Sequence, residues 1–215
     1  MAMDETALRQ RMVAVMQAME ARGLNRGTSG NISARLGEGM LVSPTGVPPE
    51  RLTPESMVFI GGDDSIAPGQ LKPSSEWRMH MQILRRRPDV GGVVHCHSRH
   101  ATILACAGKP IPAVHYMVGV SGGANVPVAP YATFGSEALA DAVVNTLEGR
   151  YSALMANHGQ IAVAPSLDFA LLIAEEIEEQ AAVYWGCLAI GGPNLLNDGQ
   201  MDEIMQRFKS YGQKT

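Results

Sequence analysis

The turns in this chain are too short for most of its strands to lie parallel. Short runs with strand character, at residues 31–35, 40–43 and 57–60, are bounded by Gly, Pro or Asp turns. Two more, at 152–157 and 160–164, are joined through His158-Gly159. A parallel pair needs a crossover of a dozen or more residues, whereas strands joined this tightly pair antiparallel. Helical periodicity surrounds them. Leu8, Met12, Val15, Met16 and Met19 recur at helical spacing, and Gly23 marks the stop. Ser74 or Ser75 is placed to cap a helix that ends near Arg87, since Pro88 forbids continuation. Residues 90–97 read as a strand, 101–107 and 137–147 as helices, and 110–130 as short strands alternating with Gly and Pro turns. A long helix opens at Ser166 and runs past Trp185, and a short one covers 201–208. No linker, repeat or low-complexity block interrupts this order. The expectation is one α/β domain over 1–215, with a mostly antiparallel central sheet flanked by helices.

Composition narrows the function classes. The 215 residues are 46% hydrophobic and 18% charged, with a net charge of -4, which offers no field for a polyanion. The one dense basic run, Arg85-Arg86-Arg87, falls at a predicted helix C-terminus, where cations are favoured. Nucleic acid is therefore not an expected partner. No apolar stretch approaches the roughly 20 residues of a membrane span, and the N-terminal segment has helical rhythm rather than a signal-peptide pattern. Three widely spaced cysteines, Cys96, Cys106 and Cys187, make no disulfide framework, so a cytoplasmic protein is expected.

The sharpest chemistry lies in Val93-Val94-His95-Cys96-His97. On a strand, His95 and His97 share a face two residues apart, and two imidazoles at that spacing can reach one ion. His158 sits where a strand ends, a usual place for a functional group. Three histidines with an open position match the ligand sets of catalytic zinc sites. Glu76, in the first turn of the helix opened by Pro73-Ser74-Ser75, is either a dipole-favoured acid or a fourth ligand and general base. His80, His100 and His115 read first as structural, with His100 also placed to orient a ligand.

Two further segments have anion-binding character. The helix N-terminus at Ser74-Ser75 presents N–H groups and hydroxyls. The turn Ser43-Pro44-Thr45-Gly46 can add the N–H groups of Thr45 and Gly46, and Asn31 adds an amide beside Gly30. A phosphate held next to a metal that polarises a carbonyl makes a coherent site for a sugar phosphate.

Gly30-Asn31-Ile32-Ser33, Ser43-Pro44-Thr45-Gly46, Pro73-Ser74-Ser75-Glu76-Trp77, His95-Cys96-His97 and Asn157-His158-Gly159 together resemble the class II aldolase/adducin family over nearly the whole chain. Residues 111–117 and 129–135 are similar in particular to its L-fuculose-1-phosphate aldolase branch. Asn157 stands where that branch has a further histidine.

The resemblance implies a metal-dependent aldehyde-lyase that cleaves a ketose 1-phosphate to dihydroxyacetone phosphate and an aldehyde. The substrate would be L-fuculose 1-phosphate, or 5-deoxyribulose or 5-(methylthio)ribulose 1-phosphate. It implies one Zn2+ per subunit, with Mn2+ or Co2+ as alternatives, held by His95, His97, His158 and Glu76. It implies phosphate contacts at Asn31, Thr45, Gly46, Ser74 and Ser75. Glu76 and Tyr116 would be catalytic, Tyr116 reaching in from a neighbouring subunit of a fourfold (C4) homotetramer. Phe134 and Tyr211 would line the aldehyde end. Three rivals share the scaffold: a ribulose-phosphate 4-epimerase, a methylthioribulose-1-phosphate dehydratase and a non-catalytic adducin-like interaction module. Epimerases of this kind tend to carry Asp at the position of Glu76, the segment around Tyr116 speaks against the dehydratase, and the complete histidine set speaks against the interaction module.

Overall fold

The computed structural model describes residues 4–209. Its centre is a seven-stranded sheet. The strands are β1 (Asn31–Leu36), β2 (Gly39–Val42), β3 (Val58–Ile60), β4 (Gly92–Cys96), β5 (Val128–Ala129), β6 (Ser152–Met155) and β7 (Gly159–Ala164), in spatial order β3-β2-β1-β4-β7-β6-β5. Every pairing is antiparallel except β5 with β6. That exception has a topological cause, because the chain between those two strands holds a helix long enough for a crossover. The sheet is thus mixed and mostly antiparallel.

The helices are α1 (Glu5–Ala21), α2 (Trp77–Arg86), α3 (Arg99–Cys106), α4 (Glu137–Thr146), α5 (Leu167–Ala189) and α6 (Asp198–Phe208). Strand alternation sorts the core into two layers. Ile32, Val94, Cys96 and Ala162 face one side, with Met12 and Met16 of α1, Leu104 of α3, and Ala170 and Ala174 of α5. Val93, Ile161, Val163 and Met155 face the other, with Met79 and Ile83 of α2 and Leu139 and Val143 of α4. Full burial of one such aliphatic side chain contributes about 1.5–3 kcal/mol, so both layers are firmly seated.

Two details differ from the sequence expectation. Residues 110–130 hold little strand: a 3-10 helix, Tyr116–Ser121, replaces the expected alternation, leaving only β5 and a single bridge from Ile111 to Val126. Pro110, Pro112, Pro127 and Pro130 have no ladder N–H to give, and Gly122 turns left-handed at φ 87. Further, α2 begins at Trp77, so Glu76 occupies the cap position rather than the first turn, and neither Ser74 nor Ser75 is the cap residue. The Glu76 side chain does not cap the helix.

At the other end of α2, Arg35 of β1 donates to the carbonyls of Leu84, Arg87 and Val90 at 2.6, 3.0 and 2.8 Å. Cys96, Cys106 and Cys187 are all free thiols. Among the described residues no helix is long and apolar enough to cross a membrane.

Candidate active site

Sheet register assembles the centre. Asn31 of β1 lies directly opposite His95 of β4, so their side chains share a face. His97 follows one residue beyond the end of β4, and the β6–β7 turn carries His158 toward both. The ligand atoms of His95, His97 and His158 lie within 4.8 Å of one another. The three rings stand 4.8–4.9 Å apart at steep mutual angles, fanned around one point.

The backbone decides which nitrogens point inward. His95 Nδ1 is 2.8 Å from the carbonyl oxygen of Gln160, which can only accept, so Nδ1 carries a proton and the neutral ring presents Nε2 as its lone pair. That Nε2 lies 3.1 Å from His97 Nε2. Tetrahedral arms of about 2.0–2.1 Å place ligand nitrogens roughly 3.3 Å apart, so the pair is spaced to share an ion. Burial and the neighbouring His95 hold both His97 and His158 down to about 4, so both are neutral near pH 7.

Glu76 closes the centre. Its Oε2 is 3.3 Å from His95 Nε2, and its Oε1 is 3.5 Å from His158 Nε2. Oε2 also accepts from Asn31 Nδ2 at 2.9 Å, while buried Oε1 has no hydrogen-bond partner among the described residues. Burial pushes the Glu76 carboxyl up. His95, the Asn31 hydrogen bond, His158 and His80 together outweigh it and leave the group below its ordinary range. A largely buried carboxylate converging with three imidazole nitrogens is an arrangement that a cation resolves. The donor set therefore fits a divalent metal, with Glu76 able to complete it.

Beside this centre lies a cleft of about 310 Å³. An antiparallel bridge between Pro44 and Pro73 brings the two anion-binding segments together. Ser74 N–H donates to the Ser43 carbonyl and Thr45 N–H to the Lys72 carbonyl, both at 3.0 Å. The Thr45 N–H is thus committed, which leaves its hydroxyl and the Gly46 N–H for a ligand. Asn31, Thr45, Gly46, Ser74, Ser75 and Phe134 all line the cleft, together with Glu76, His97 and His158. Among the described residues no Lys or Arg lines it, so an anion there would be met by N–H groups, hydroxyls and the α2 N-terminus.

Other sequence candidates lie elsewhere. Tyr116 is half-exposed, packs near Phe208 and lines a separate apolar groove of its own chain. Tyr211 lies outside the described residues. His100 pairs with Glu178 at 2.8 Å, and His115 caps the 3-10 helix through Met117 N–H.

Some supporting residues escaped the sequence reading. Buried Asn25 accepts the His97 N–H at 3.1 Å, and a Cβ on Gly30 would fall 2.3 Å from the Asn25 amide nitrogen. Gly159 does not supply the turn; the left-handed residue is Asn157, at φ 56. What Gly159 permits is close approach, because a Cβ there would meet the Cys96 carbonyl oxygen at 2.5 Å. Tyr131, within the 129–135 segment, also lines the cleft. No spacing rule flags Asn25, which contacts a residue 72 positions away.

Comparison with known proteins agrees with this geometry. Residues 10–185 match the class II aldolase and adducin N-terminal domain. The chain is 44% identical over 206 residues to the 5-methylthioribulose-1-phosphate/5-deoxyribulose-1-phosphate aldolase of Rhodospirillum rubrum, covering 96% of this chain and 93% of that one. It is 42% identical over 211 residues to the L-fuculose phosphate aldolase of Escherichia coli K12, covering 98% of each. A solved L-fuculose 1-phosphate aldolase structure superposes with a TM-score of 0.92 at 34% identity, covering 97% of this chain and 98% of that one.

Proposed function

The chain belongs to the class II aldolase and adducin family, and on that premise we propose that it is a zinc-dependent aldolase acting on a ketose 1-phosphate. The products would be dihydroxyacetone phosphate and an aldehyde. The observation that carries this reading is the convergence of three imidazoles and the unpartnered Glu76 oxygen beside a cleft built from N–H groups and hydroxyls. An interaction module would have no need of such a constellation.

In this reading His95, His97 and His158 would hold the metal, with Glu76 placed to complete the ligand set. Zn2+, or Mn2+ or Co2+ in its place, would supply Lewis-acid stabilisation, worth several kcal/mol, of the charge left when the bond between the third and fourth carbons breaks. Asn31, Thr45, Gly46, Ser74 and Ser75 grip the phosphate and fix the register of the reacting carbons. Glu76 carries the proton to and from the carbon of the dihydroxyacetone phosphate fragment. Tyr116 from a neighbouring subunit handles the proton on the aldehyde oxygen, an arrangement supported by its exposure and its distance from the cleft of its own chain. Its role implies a homo-oligomer, in our reading a C4 tetramer in the cytoplasm.

Phe134 and Tyr211 form the aldehyde end. The relatives named above act on L-fuculose phosphate and on 5-methylthioribulose and 5-deoxyribulose 1-phosphates, and we assign this chain to that set. Incubating the zinc-loaded protein with each of the three sugars and assaying released dihydroxyacetone phosphate and free aldehyde tests the proposal. Epimerised sugar without free aldehyde would replace it with an epimerase.

A further inference from the structure

A buried imidazole outside the metal centre is wired to it. His80 stands one helical turn after Glu76 on α2 and is wholly shielded from solvent. Its Nε2 is 2.6 Å from Asn31 Oδ1, and its Nδ1 is 2.8 Å from the Ser33 hydroxyl. Asn31 and Ser33 alternate on β1 and so present the same face to α2.

Donor and acceptor roles follow from the far end of this chain. Asn31 Nδ2 donates to Glu76 Oε2 at 2.9 Å, so the amide NH2 is the group that faces the carboxylate. The Asn31 oxygen then faces His80 and also only accepts, so His80 Nε2 carries the proton. His80 Nδ1 is left as an acceptor for the Ser33 hydroxyl. Burial holds His80 down to about 3, so it is a neutral ring with one donor and one acceptor. Turning the Asn31 amide over would set its oxygen against the carboxylate at 2.9 Å with no proton between them, and would present the same oxygen to the anion cleft that Asn31 lines.

We propose that His80 is a positioning residue: its Nε2–H fixes the Asn31 carboxamide so that the NH2 faces both Glu76 and the phosphate cleft. One ring nitrogen thereby orients the group that steadies the proton carrier and the group that meets the anion. The inference rests on the aldolase reading for the roles of Glu76 and phosphate, and on the hydrogen-bond geometry alone for the orientation of Asn31.

Two near-isosteric variants separate the ring nitrogens, because a Gln amide nitrogen can stand in for Nε2 and an Asn amide nitrogen for Nδ1. The probes are inorganic phosphate binding to zinc-loaded protein and solvent-proton exchange on dihydroxyacetone phosphate. His80→Asn and His80→Phe are expected to weaken phosphate binding and slow exchange by on the order of tenfold or more, the worth of a hydrogen bond to a charged group. His80→Gln is expected to restore both to within about threefold of the unsubstituted protein, by the same reckoning. Equal loss in all three variants, or rescue by Asn as good as by Gln, overturns the proposal. If the variants do not fold, 15N spectra of the unsubstituted zinc-loaded protein decide instead: His80 protonated at Nε2 is expected, and protonation at Nδ1 overturns it. Absence of exchange in the unsubstituted protein would overturn the aldolase reading, while the phosphate comparison would still decide the role of His80.

Discussion

The backbone carbonyl of Gln160 accepts the Nδ1 proton of His95 at 2.8 Å, which leaves Nε2 of the neutral ring as the nitrogen that faces His97. The orientation is set by β4–β7 pairing, in which Cys96 lies opposite Gln160. The Gln160 side chain continues the brace, donating to Ser98 Oγ at 2.7 Å and to the Ala174 carbonyl at 3.0 Å.

A centre held this way should bind metal tightly and gain stability from it. Chelation is expected to abolish aldol cleavage and to lower the unfolding temperature, with both restored by zinc. At a free metal concentration 100-fold above its dissociation constant the stabilisation is about 2.7 kcal/mol. Calorimetry of metal-free and loaded protein measures it, and cleavage that survives metal removal would refute the central assignment.

Glu76→Gln should separate chemistry from binding. The amide cannot carry the proton, so exchange on dihydroxyacetone phosphate should fall by at least about a hundredfold, the usual scale for losing a general base. Phosphate binding should change by less than about tenfold, since the cleft keeps its other donors. Exchange at the unsubstituted rate would remove Glu76 from its role.

Acid should destabilise the metal-free protein. His97 and His158 lie near 4 and His80 near 3 in the folded state, all depressed by burial from an ordinary value of 6.5. Below about 6.5 the unfolded chain therefore binds protons that the folded chain refuses, so stability falls with pH through that window. Glu76, held below its ordinary range, acts in the same direction at lower pH. Urea midpoints at pH 7.5, 6 and 5 check this, and a flat profile contradicts it.

Gly30→Ala should damage the metal site without touching a ligand. Gly30 has φ 72, and the added methyl would run into the Asn25 side chain that holds the His97 N–H. Strain in the left-handed region costs about 1–3 kcal/mol, and loss of a brace behind a metal ligand weakens metal affinity by roughly 10–100-fold. Zinc titration of the variant against Asn25→Ala, which removes the brace without the strain, separates the two effects.

Much of this was legible in the sequence because the signals are local. Two-residue spacing placed His95 and His97 on one face, and short turns predicted antiparallel pairing. What escaped was long-range or conformational. Residues 110–130 read as strands because apolar residues sit between turn formers, yet their prolines cannot supply ladder donors. Asn25, Gln160 and Ser98 act on residues distant in sequence, and nothing in their own neighbourhoods announces it. His80 was visible one turn from Glu76, but its partners Asn31 and Ser33 emerge only when β1 meets α2.

The helix that bears Glu76 is fastened to β1 twice, through His80 near its start and through Arg35 at its finish. Sliding or tilting of α2 would break the buried His80 bonds at one end or the part-buried Arg35 bonds at the other, which holds the main chain at Glu76 in place. If Glu76 acts as proposed, any exchange between ligand and proton carrier would be a swing of the carboxylate about its own side-chain torsions. On the proposed function, the carboxylate would then be able to serve both duties without rearrangement of the frame around it.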